Sequence, residues 1–322
     1  MSKNIMKKTI SSILIIVFMI SCVNVAYASE NNTTDGEELL YNCEKLPQYF
    51  DENISFSEIE AGILDFIYER ELNIEKGSEG YVDLMYSFLF GEVENISDIA
   101  ERYFADYASV YVVKVQELSC QENGDARNID NSKYDISLEG SIAETKERNS
   151  EMMDKLSASY SARKESSRAG LSLSQAQKYA EMYALSWNYV YGKYSSDCTN
   201  FASQILHYAG MEMIKGQWQY NGNELAKRRW NVAHDFMEYW GGEKGYAFNG
   251  YVTRREVNTN AKPGDFIGYM CNDTYEVWHV VFVHSKKNGE IYVSQHTANR
   301  LNERWNDITI ERPSTYVINR FM

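Results

Sequence analysis

The stretch DCTNFASQILHYAG, Asp197–Gly210, decides how the rest of the chain is read. Phe201, Ile205 and Tyr208 recur on one helical face, Asp197 (or Ser196) stands at the N-cap, and Gly210 supplies a stop. The pattern predicts an amphipathic helix with Cys198 in its first turn. Unpaired N–H groups and the helix dipole favour an anion there. That position can therefore depress a thiol pKa and offer a backbone N–H to an oxyanion. The competing reading is a buried structural thiol, because free cysteine packs as a small hydrophobe.

A thiol nucleophile needs a base. His207 follows on the same helix but points half a turn away. His234 lies in the aromatic run WNVAHDFMEYW and reads as a packing residue. The C-terminal part is more informative. Pro263-Gly264 opens one strand, and HVVFVHS and IYVSQHT flank Asn288-Gly289, a strong hairpin signal. With Asn288 and Gly289 as the loop, Lys287 pairs with Glu290. Val281 then stands opposite His296, and His279 opposite Ala298. That register puts His279 and His296 on one face as diagonal neighbours and turns His284 and Gln295 away. Cys198 as nucleophile, His279 as base and His296 as orienter of the His279 ring is the resulting catalytic set. Two histidines and a thiol could also bind zinc, but no carboxylate lies at ligand spacing from them. No metal and no organic cofactor is expected.

The chain opens MSKNIMKKTISSILIIVFMISCVNVAYASENN. Lys3, Lys7 and Lys8, the apolar Ile10–Ile20 and the small-x-small Ala26-Tyr27-Ala28 read as a secretory signal peptide over residues 1–28. Lipidation at Cys22 is the alternative. No later segment is long and apolar enough to span a bilayer, so a secreted, envelope-associated monomer is expected. Residues 29–146 hold 27 acids against 8 bases, whereas residues 147–322 are almost balanced. This asymmetry predicts two modules and argues against nucleic acid as a partner. Cys43, Cys120, Cys198 and Cys271 are widely spaced, which excludes a zinc knuckle and leaves room for a Cys43–Cys120 bridge.

The acidic part, 29–146, reads as a small α+β module. FSEIEAGILDFIYERE and SDIAERYFADY are helical, and SVYVVKVQEL and KYDISLEGSI are strand-like around the turn-rich QENGDARNIDNS. It contains no histidine and no evident chemistry. Residues 147–171 read as a frayed helix end and linker, followed by a domain over 172–322.

The elements YGKYSSDCTNFASQILHYAGM, KPGDFIGY, WHVVFVHS and IYVSQHT together resemble the secreted bacterial "putative amidase domain" family, whose hallmark is DCTNF-x-SQ. That family resembles a branch of the papain-like NlpC/CHAP superfamily of cysteine amidases and peptidases. The resemblance covers about residues 172–315. It implies an α+β fold with the Cys helix packed on an antiparallel sheet, Cys198 as nucleophile, His279 as base and His296 in the third position. Ile205 stands where other members have a cysteine outside the catalytic set. The resemblance also implies an upstream tyrosine near the oxyanion, for which Tyr189 and Tyr191 are candidates. Its implied activity is hydrolysis of an amide in peptidoglycan or a peptide. The rivals are acyl transfer by the same residues and a non-catalytic envelope-binding module.

Overall fold

The computed structural model describes residues 40–121, 134–161, 170–308 and 314–322. The signal peptide with Cys22, nearly all of the turn-rich segment and part of the 147–171 stretch lie outside these residues. In chain order the elements are α1 (Phe56–Glu69), α2 (Glu79–Phe90), α3 (Asp98–Gln121), α4 (Ile142–Ser161), α5 (Leu173–Tyr183), α6 (Cys198–Tyr208), α7 (Glu224–Asn231) and α8 (Ala233–Met237). Then come β1 (Ala247–Tyr251), α9 (Arg254–Asn260), β2 (Asp265–Cys271), β3 (Val277–Lys287), β4 (Glu290–Gln295), β5 (Arg300–Arg304) and β6 (Ser314–Arg320). The protein is α+β. Among the described residues six strands form one antiparallel sheet in the order β1-β6-β2-β3-β4-β5.

Alternation along the strands divides the sheet into two faces. Phe266, Met270, Val280, Phe282 and Val317 join Phe201 and Ile205 of α6 and Phe236 and Met237 of α8 in one core. Ile267, Tyr269, Val281, Val283, Val293 and Ile318 belong to a second core, which continues into α9, the turn at Trp305 and helices α1–α3. Residues 40–322 cluster as a single compact unit.

Local signals set several of these elements. Ser55 and Glu58 form a reciprocal capping box at the start of α1, which buries Ile59, Ile63, Phe66 and Ile67 as the periodicity required. Ser78 caps α2, and Gly91, at φ 67°, ends it in the left-handed region.

The acidic part departs from its expected α+β character. The run Ser109–Leu118, with its β-branched residues, is the second half of α3 rather than a strand. Tyr107, Ala108, Tyr111, Val112 and Val115 are completely buried, so α3 is a central helix apolar on most sides. Such a helix loses the two-sided pattern that distinguishes helix from strand. The second expected strand is an irregular segment that leads through the bridge Ser55–Ser141 into α4. Residues 147–161, expected as a frayed helix end, are regular helix in α4, with Leu156 fully buried. Among the described residues no helix is long and apolar enough to cross a membrane.

Polar contacts tie α3 to the hairpin joining β2 and β3. Ser109 Oγ and Thr274 Oγ1 are 2.9 Å apart, and the Cys271 thiol donates to Asp106 Oδ1 at 3.1 Å. Arg102 makes a two-pronged contact with Asp273 at 2.8 and 2.9 Å. The acidic helices and the sheet therefore share both core and hydrogen bonds. None of the four described cysteines is in a disulfide and all are buried, so no Cys43–Cys120 bridge forms. Cys120 instead donates to the Gln116 carbonyl at 3.1 Å.

Candidate active site

Cys198 is the first residue of α6 and is completely buried. Asp197 occupies the N-cap position, yet its carboxylate does not cap the helix. It accepts from Asn200 Nδ2 at 2.9 Å and pairs with the His296 ring instead. The thiol rests against β3, where it meets the backbone N–H of Val280, the amide joining His279 to Val280. Burial pushes the Cys198 pKa up to about 11, against hydrogen bonds from Thr199 and Val280 that favour the thiolate, while the Asp197 charge adds to the rise. The helix N-terminus was expected to depress this pKa. Loss of water outweighs it, because desolvation acts on the whole charge whereas the dipole is a partial one.

His279 is also completely buried, between Phe90, Tyr269 and Trp278, with ring centroids 5.6, 5.3 and 5.4 Å away. Burial lowers its pKa to about 3. The Gln295 side chain opposes that shift and Arg300 adds to it. At rest neither ring nitrogen completes a hydrogen bond, and neither does Gln295 Oε1.

The hairpin register explains why Gln295 faces this ring. Asn288 and Gly289 both have positive φ, and Lys287 pairs with Glu290, as expected from the turn. A bulge at His284 then shifts the ladder by one residue, so that Val283 pairs with Val293 and Phe282 with Ser294. A one-residue slip exchanges the faces. Gln295 therefore shares the face of His279 and Val281, while His296 turns to the other side. His284, across the bulge, contacts Ser294 Oγ at 3.0 Å through Nδ1.

The expected role of His296 as orienter of His279 is corrected by this geometry. Its Nδ1 bonds Asp197, its Nε2 donates to the Tyr183 carbonyl at 2.8 Å, and its ring stacks on Phe201 at 4.1 Å. It is a strut that joins the end of α5 to the start of α6. Gln295 Nε2 donates to the carbonyls of Thr297 and Ala298 at 2.9 and 3.3 Å, which leaves Oε1 as its free end. Thr297 has φ 58°, a strained value for a β-branched residue, and its hydroxyl accepts the Asp197 N–H at 3.0 Å.

The two tyrosines expected near the oxyanion are elsewhere. Tyr189 is exposed, and Tyr191 stacks on Trp230 at 5.7 Å. The hydroxyl next to Cys198 belongs to Tyr86 of α2, which bonds Ser196 Oγ and faces Gln116 and Thr297. Gln116 of α3 reaches the same place, with Nε2 3.9 Å from Cys198 Sγ. Sequence reasoning missed both, because no local pattern separates them from core residues of an acidic helical module. His207 and His234 have packing roles, bonding the Met211 carbonyl and Glu276 at 2.8 Å each. A cleft of about 180 Å³ is lined by Asp83, Trp187, Lys193, Ser195, Asp197 and Thr297 among others, and so reaches the residue before Cys198 while the thiol itself stays buried. Among the described residues no group of three potential metal ligands is found.

Residues 171–318 match the family described as "Putative amidase domain". The match covers the α5–α6 helices, the sheet and all three candidate residues, and it points to hydrolysis of an amide bond. A 138-residue stretch is 35% identical to "Uncharacterized protein YjcM" of Bacillus subtilis (strain 168), covering 39% of this chain and 31% of that protein. The chain thus spans about a third of that relative's length. No solved structure matches.

Proposed function

We propose that the protein is a cysteine amide hydrolase of the papain-like type, with Cys198 as nucleophile, His279 as general base and acid, and Gln295 as the group that orients His279. The observation that carries this reading is the buried, unbonded His279 ring beside the peptide on which the Cys198 thiol rests. A buried polar group without a partner costs about 1–3 kcal/mol, and such a group in a native fold calls for a functional explanation. A base awaiting a proton is one.

At neutral pH the thiol and imidazole are both uncharged, given the directions of their shifts. Attack therefore couples S–C bond formation to transfer of the thiol proton to His279. The imidazolium returns that proton to the amine as the C–N bond breaks. The resulting thioester is then hydrolysed by water that gives its proton to His279. Gln295 Oε1 is placed to accept a ring N–H and fix the tautomer.

For the substrate, the reading is an amide of a peptidoglycan stem peptide, supported by the family match and by the export signal read in residues 1–28. The test is digestion of purified peptidoglycan with mass analysis of the products, comparing wild type with Cys198→Ala. New amine and carboxylate ends released only by wild type support the reading. Identical digests overturn it.

A further inference from the structure

We propose that Arg300, on β5, is a positioning residue for the base: its guanidinium, carried on the sheet face that Gln295 and His279 share, keeps the imidazole uncharged at rest and makes it a ready proton donor once it is charged. This rests on the cysteine-hydrolase reading above.

The ladder places Arg300 directly opposite Gln295, so the two side chains share a face. Gln295 in turn faces His279. The Arg300 side chain is 24% exposed, but its Nε is buried and has no hydrogen-bond partner among the described residues. Nη1 bonds Glu303 at 2.5 Å. Gln295 Oε1 and both His279 ring nitrogens are unbonded as well. One sheet face thus gathers a guanidinium N–H, an amide oxygen and an imidazole, none of them tied to another group. A guanidinium does not lose its proton in a protein, and a like charge opposes protonation of a neighbouring imidazole.

The other elements around the ring bring no charge to cancel this one. From β2 comes Tyr269, whose hydroxyl accepts Trp305 Nε1–H at 2.6 Å, and from α2 the Phe90 ring. Gln116 of α3 and Gln295 of β4 are uncharged, and burial holds Cys198 of α6 and Tyr86 of α2 protonated. Asp197 pairs with His296, while Glu303 and Glu92 interact with Arg300 itself. His284 lies across the bulge on Ser294. Among the described residues no carboxylate bears on the ring, and the Arg300 charge adds to burial in holding its pKa near 3. A thiol beside an imidazole rests either as a neutral pair or as thiolate and imidazolium. Asp197 raises the thiol and Arg300 lowers the base, so two charges hold the neutral pair from opposite ends. Once attack has moved the thiol proton to His279, Arg300 repels the imidazolium. That cation then gives its proton more readily to the leaving amine as the C–N bond breaks. An amine needs this proton to leave; p-nitrophenolate does not.

The test follows the ring itself. In the full chain with ¹³C-labelled histidine, the His279 Cε1 resonance is titrated against pH. Arg300→Met is expected to raise its midpoint by about one pH unit and to carry the acid limb of amide hydrolysis with it. Arg300→Lys, which keeps the charge, is expected to stay at the wild-type midpoint. Amide turnover by Arg300→Met should fall by up to about tenfold, the rate equivalent of one pKa unit, while acylation of Cys198 by p-nitrophenyl acetate is unchanged or faster. An unmoved midpoint in Arg300→Met, or equal losses with amide and ester, overturns the proposal and leaves Arg300 a packing residue. A measurement on wild type covers a variant that does not fold: the Arg300 Nε–H resonance is expected to shift through the His279 midpoint, and one that stays fixed overturns the proposal as well. If Cys198→Ala leaves hydrolysis unchanged, the nucleophile assignment falls, while the midpoints still decide what Arg300 does to the ring.

Discussion

His279 and His296 are buried alike, but the regions around them are built on opposite plans. Around His296, at the α5–α6 junction, the polar groups are bonded: the ring to Asp197 and the Tyr183 carbonyl, Asp197 also to Asn200, and the Asp197 N–H to Thr297. Around His279, on β3, both ring nitrogens and the facing Gln295 Oε1 have no partner. A bonded buried histidine holds a fold together. An unbonded one is a cost that the surrounding core must absorb, and it is kept where a proton has to move. The first region locates the Cys198 end of α6; the second holds the proposed base.

The sharpest way to break this contrast is to remove each side chain in turn. His279→Ala is expected to lower hydrolysis about 10²–10⁴-fold, the span of general acid–base catalysis. Because no hydrogen bond is lost, thermal unfolding should change little beyond the cavity effect. His296→Ala is expected to do the reverse first. Removing one of the two side-chain partners of the buried Asp197 carboxylate, and leaving only Asn200, costs on the order of 1–3 kcal/mol, visible as a drop in the urea midpoint. Activity would fall only as far as the fold loosens. If the two variants trade places in these assays, the assignment of base and strut is inverted.

Gln295→Leu gives the next largest effect. It should lower kcat by roughly 10–100-fold, as for loss of an orienting partner, while KM stays unchanged and added imidazole gives no rescue. The variant is compared with His279→Ala at several pH values, and equal losses would show that Gln295 acts on more than the ring.

The smallest effect is on stability against pH. The folded-state pKa of His279 is depressed to about 3 from an ordinary value of 6.5. Above pH 6.5 neither folded nor unfolded chain binds this proton, and the full stability is present. As pH falls toward 3 the unfolded chain binds it first, so stability declines by roughly 1 kcal/mol per pH unit from this group. Denaturant melts from pH 7 to 4 should be flatter for His279→Gln than for wild type. Parallel slopes would mean that the ring is not held neutral.

Much of the fold was legible because its signals are local. The α6 boundaries follow from Cys198 at the start and Gly210 after the end, and the hairpin from Asn288-Gly289 between two apolar runs. The capped, two-sided pattern of α1 was equally plain. The run Ser109–Leu118 was not, since complete burial erases the period that separates helix from strand. In the site, Cys198 and His279 stood out by chemistry and position. The residue facing the His279 ring did not, because the bulge at His284 has no local signature and a shift of one residue replaces His296 by Gln295 on that face.

The sequence by itself determined the cysteine at a helix start, the histidine-bearing hairpin and the charge contrast between the two parts of the chain. Those features depend on neighbours within a turn or a hairpin, where propensity and periodicity act. Tertiary structure alone decided which histidine meets which partner, how far burial moves the thiol and imidazole from their usual pKa values, and that Tyr86 and Gln116 enter the site from the acidic helices. These depend on contacts across 82 residues, from Gln116 to Cys198, and more than a hundred, from Tyr86 to Ser196. No periodicity spans such a distance; only the packing of α2 and α3 against the sheet brings those groups together.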